Sequence, residues 1–143
     1  MIAALRSISA ILMGFITGFV VIVGCEYANI RMYPLPAGTD PEDAAAMNAA
    51  LAAMPAKAMV LVLVGWFVGT IGASFMAARF ATQFKSLHGM LMGLIFLGGA
   101  IMTMRQIHHP LWFWIIGIIL FFPAAIIGTS LATPSGGASA PNK

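Results

Sequence analysis

Charged residues occur in this chain as short islands between four long uncharged stretches, Ser7 to Cys25, Ala58 to Ala78, Ser86 to Met104 and Leu111 to Ala132. Each stretch has the roughly 20 apolar residues that a helix rising about 1.5 Å per residue needs to cross a hydrocarbon core about 30 Å thick. The pattern predicts helices over 8–27, 56–80, 86–105 and 111–133. The expected fold is an all-α integral membrane protein, a four-helix transmembrane bundle running up-down-up-down with antiparallel neighbours. It occupies one domain, 1–133, and the Ser/Gly/Pro/Ala-rich tail over 134–143 is expected to be disordered.

The connection between the first two stretches has its own organisation. Tyr33-Pro34-Leu35-Pro36 cannot continue a helix, because proline lacks an N–H and disfavours helix at the residue before it. Asp40 is a suitable N-cap and Pro41 a suitable first helical residue, and Glu42 and Asp43 stand where the helix dipole favours acids. A short outer helix over 41–54 follows, with Met47, Leu51 and Met54 on one face, expected to cover the mouth of the bundle. Pro123, inside the fourth stretch, removes a backbone hydrogen bond and predicts a kink.

Composition agrees with this reading. Hydrophobic residues make up 61% and charged residues 8%, with mean hydropathy +0.98. The net charge of +3 does not imply nucleic acid, because the basic residues are scattered singly and most flank an apolar stretch, where they anchor helices at the headgroups. The single cysteine, Cys25, excludes an internal disulfide. Arg6 followed by 19 uncharged residues is longer than a secretory signal core and is expected to be a retained first helix. Arg79 and Lys85, flanking the tight link between the second and third stretches, favour both termini in the cytoplasm. Overall the chain resembles small four-helix proteins of the bacterial inner membrane, which implies that location and no particular activity.

Small residues form seams. Gly65, Gly69, Ala73 and Ala77 recur every four residues in the second stretch. Gly14 and Gly18 do so in the first, and Gly89 and Gly93 in the third. Such faces let helix backbones approach closely in lipid. They can close the bundle or dock a second copy or another membrane protein. Gly14, Gly18 and Gly24 share their spacing with Gly89, Gly93 and Gly99, a faint internal echo.

Polar chemistry is sparse. Glu26 is the one acid close to an apolar stretch. An ionised carboxylate there needs a partner or a proton, and the expected partner is Arg105 or Arg31. His108 and His109 complete a candidate polar cluster at the outer face. No serine, histidine and acid spacing, no His-Glu-x-x-His and no phosphate-cradling loop is present. No catalytic, cofactor-binding or metal site is therefore assigned, and no enzyme is expected. The leading expectation is a non-enzymatic membrane subunit or scaffold working through helix–helix contacts in the lipid bilayer, as a homo-oligomer or with a membrane partner. The alternative is a small proton- or cation-coupled transporter or channel using Glu26, for which a lipophilic substrate would suit the apolar interior. An intramembrane enzyme ranks third.

Overall fold

The computed structural model of the chain describes residues 2–40, 42–106 and 109–133. The described residues form six helices and no strands: α1 (Ile2–Met32), α2 (Ala44–Ala52), α3 (Ala56–Phe80), α4 (Lys85–Gln106), α5 (Leu111–Ile119) and α6 (Phe121–Ala132). Four helical stretches, with α5 and α6 taken together, are long and apolar enough to cross a membrane. The expected tail over 134–143 lies outside the described residues.

α1 extends beyond the predicted 8–27 at both ends, to 31 residues. At about 1.5 Å per residue it is roughly 46 Å long, well over a hydrocarbon thickness. Nothing in its sequence opposes helix until Pro34 restricts Tyr33. The fourth stretch is interrupted at Leu120, between α5 and α6. Pro123 has no N–H to give the carbonyl of Ile119, and its ring crowds that carbonyl, so the break falls one turn before the proline.

The short outer helix begins later than predicted. Its N-cap is Asp43, whose carboxylate accepts from the amides of Ala45 and Ala46. Asp40 instead accepts from the Glu42 amide, 2.9 Å away, in a turn ahead of the helix. The backbone of α2 stands off the other helices, with no Cα within 8 Å of them. Its apolar residues are nonetheless shielded, with Ala50 buried and Met47, Leu51 and Met54 half-buried.

α3 is the central helix. It packs against α1 on one side and against α4 and α6 on the other, whereas α1 meets α4 only briefly and does not reach α5 or α6. Its small residues explain this position. A Cβ added to Gly69 would lie 2.5 Å from Ile22, one on Gly65 would lie 2.7 Å from Cys25, and one on Gly14 would lie 2.7 Å from the Ala73 carbonyl. Only bare backbone fits there. On the opposite side a Cβ on Gly128 of α6 would overlap the Ile71 carbonyl, and between α4 and α6 one on Gly93 would lie 2.7 Å from Ala125. All eight predicted seam residues, Gly14, Gly18, Gly65, Gly69, Ala73, Ala77, Gly89 and Gly93, are buried within the chain.

The link from α3 to α4 is tight. Phe84 adopts φ 49°, the left-handed region that non-glycine residues seldom enter. Its carbonyl accepts from the His88 amide at 3.1 Å, and the His88 ring nitrogen Nδ1 lies 3.0 Å from the same oxygen. His88 is thereby buried at the start of α4.

Candidate functional site: the cleft between α1 and α4

Because α1 leans on α3 and barely touches α4, an open cleft of about 310 Å³ remains beside it. Phe15, Phe19, Ile22 and Val23 of α1 form one wall, and Ile95, Gly99 and Thr103 of α4 form the other. The floor is Phe96, Ala100, Trp66 of α3 and Phe121 of α6, all buried. From Phe15 to Glu26 the α1 wall covers twelve residues, about 16 Å of helix.

Aromatic stacking shapes the interior. The Phe15 ring lies 5.7 Å from Phe96 and 6.0 Å from Phe19, both nearly parallel. Below them Trp66 meets Phe121 at 6.0 Å and meets Phe113 edge-on at 5.5 Å. Such contacts hold ring faces in defined orientations.

Polar groups at the cleft are few. The Thr103 hydroxyl donates to the Gly99 carbonyl one turn back, 3.1 Å away, which leaves it little to offer a solute. Glu26 lines the cleft and is its one ionisable side chain. It is half-buried and, among the described residues, makes no hydrogen bond or ion pair. The expected tie to Arg31 or Arg105 is absent. Arg31 turns to its own helix, donating from Nη2 to the Tyr27 hydroxyl at 2.7 Å, with its guanidinium 5.2 Å above the Tyr27 ring. Arg105 is exposed at the end of α4.

The predicted outer cluster is thus not assembled as one site. Glu26 enters the cleft, Arg31 pairs with Tyr27, and Arg105 stays outside. His109 stacks on Phe113 with ring centroids 4.4 Å apart, and His108 lies outside the described residues.

The sequence reading assigned no role to Phe15, Phe19, Trp66, Phe96 or Phe121. A signal was present in part: Phe15, Phe19, Ile22 and Glu26 follow helical spacing, a continuous stripe that ends in the acid. Asn29 and Thr129 were likewise not singled out. Asn29 continues the α1 seam one turn beyond Cys25, and its Oδ1 is buried without a partner. The hydroxyls of Thr70, Ser74 and Thr129 are also buried without partners, within α3 and α6. No protein-family model, curated protein or solved structure matches this chain.

Proposed function

We propose that the chain crosses a bacterial inner membrane four times, up-down-up-down, with both termini in the cytoplasm. In this reading it acts as a small carrier, holding an amphipathic solute in the cleft between α1 and α4. The order of contacts supports the topology: Gly14, Gly18, Ile22 and Cys25 of α1 meet Ala77, Ala73, Gly69 and Gly65 of α3 in descending order. The same reversal relates Gly89 and Gly93 of α4 to Thr129 and Ala125 of α6. Arg79 and Lys85 beside the tight link support cytoplasmic termini.

The observation that carries the function is the unpartnered Glu26 at an aromatic cleft. A carboxylate at the end of an apolar span without a partner marks a functional-site candidate, and a cavity near 300 Å³ is at the lower end of small-molecule sites. Mid-membrane surfaces this apolar suit a lipophilic solute. They do not suit a water-filled channel.

The membrane-subunit reading is favoured by a different observation. A Cβ on Gly24 or Gly98 would meet nothing within 4 Å, and glycine in a helix interior is otherwise a liability. A partner helix packed there would account for both.

Native mass spectrometry on gently extracted protein tests the two readings together. The carrier reading expects a small amphipathic molecule retained by the wild type and lost from Gly99→Leu, which fills the cleft. A stoichiometric foreign chain, with no retained small molecule, would overturn it in favour of the subunit reading.

A further inference from the structure

Resting on the carrier reading, we infer that the α1/α4 cleft selects a lipophilic organic cation, one whose charge is spread over or shielded by aromatic or alkyl groups. The argument begins from sign. Glu26 is the single ionisable group lining the cleft, and no Lys or Arg lines it. Arg31, the nearest basic residue along α1, is engaged by Tyr27 through two hydrogen bonds and its ring face. An anionic or phosphate-bearing solute would meet repulsion with nothing to offset it.

A compact inorganic cation fits no better. Such ions take several oxygen or nitrogen ligands at once. Among the described residues no three His, Cys, Asp or Glu side chains gather anywhere, and the Thr103 hydroxyl is directed to its own helix. One carboxylate cannot replace a hydration shell.

What remains suits a weakly hydrated cation. Phe15 and Phe96 present stacked ring faces beside Phe19. These rings offer packing surface to the aromatic or alkyl groups that carry or shield the charge. The apolar walls take the hydrophobic body, and Glu26 at the far end of the α1 wall supplies the counter-charge. The opening beside α1 admits such a solute laterally from the bilayer, where it already partitions.

The test uses two ions of the same shape and opposite charge, tetraphenylphosphonium and tetraphenylborate, with the full chain purified in detergent. Radiolabelled phosphonium should bind saturably, and unlabelled borate should compete at least tenfold less well than unlabelled phosphonium. Glu26→Gln should weaken phosphonium binding at least tenfold while keeping the wild-type thermal midpoint, Glu26→Asp should retain part of it, and Gly99→Leu should abolish it. Equal competition by borate, or unchanged binding in Glu26→Gln, would overturn the cation assignment while leaving a lipophile cleft and the carrier reading in place. If folded wild-type protein binds neither ion saturably, the cleft is not a solute site. The carrier reading then falls with the inference.

Discussion

The two sides of α1 are built on opposite principles. Toward α3 it presents Gly14, Gly18 and Cys25 against Gly65, Gly69 and Ala73, and the backbones close until a single added carbon would collide. Toward α4 it presents Phe15 and Phe19, and the helices stand apart around a cleft. In water both faces would collapse, because both are apolar. In lipid, apolar surface gains little by leaving its surroundings, and close packing decides which helices join. Small residues in register close a seam, and large rings hold helices apart. The consequence shows in burial: 17% of the residues in the apolar window of α1 are buried, against 39% in each of the other three.

The comparison can be broken most directly on the closed side. Gly69→Leu sets a side chain against Ile22 and the Gly18 carbonyl, the latter 3.0 Å from the new Cβ. Overpacking of this kind costs about 1–3 kcal/mol, at the upper end where backbone is the obstacle. Gly99→Leu, on the open side where a Cβ meets nothing within 4 Å, should leave the thermal midpoint near that of wild type. Equal destabilisation of the two variants would mean that α1 and α4 close on each other.

A smaller effect of opposite sign is expected from the open glycines. Gly98→Ala should stabilise an isolated chain by about 0.5–1 kcal/mol, since alanine loses less conformational entropy in a helix. Loss of a stoichiometric complex in this variant would instead reveal a partner helix on that face.

The smallest effect concerns Glu26. A double-mutant cycle of Glu26→Gln and Arg105→Ala should give a coupling energy within about 0.5 kcal/mol of zero, the level seen for independent sites. A larger coupling, measured by reversible unfolding, would restore the ion pair between the ends of α1 and α4.

Much of the helical framework was legible in the chain because uncharged apolar runs of spanning length have few alternatives to helix. The seam residues were legible too, since a four-residue spacing places them on one face whatever that face meets. Pro123 marked its interruption, although the break lies at Leu120, next to the Ile119 carbonyl that loses its hydrogen bond. Asp43 displaced Asp40 as the cap of α2 because capping depends on which carboxylate reaches the second and third amides, and both acids were chemically suitable. The pairing of Glu26 was not legible. Proximity along the sequence and comparable depth suggested Arg31 or Arg105, but Tyr27, one turn before Arg31, offered the guanidinium an oxygen and a ring on its own helix.

By itself, the sequence determined that four apolar helices form, where their small faces lie and where the few charges can stand, because these follow from local spacing and the cost of placing charge among apolar groups. The tertiary structure alone decided that α3 is central, that the predicted seams are consumed inside the chain, and that Glu26 faces an aromatic cleft without a partner. Those outcomes depend on which surfaces fit each other in three dimensions, and the fit of a ring against a glycine or of one backbone against another is a property of pairs of helices.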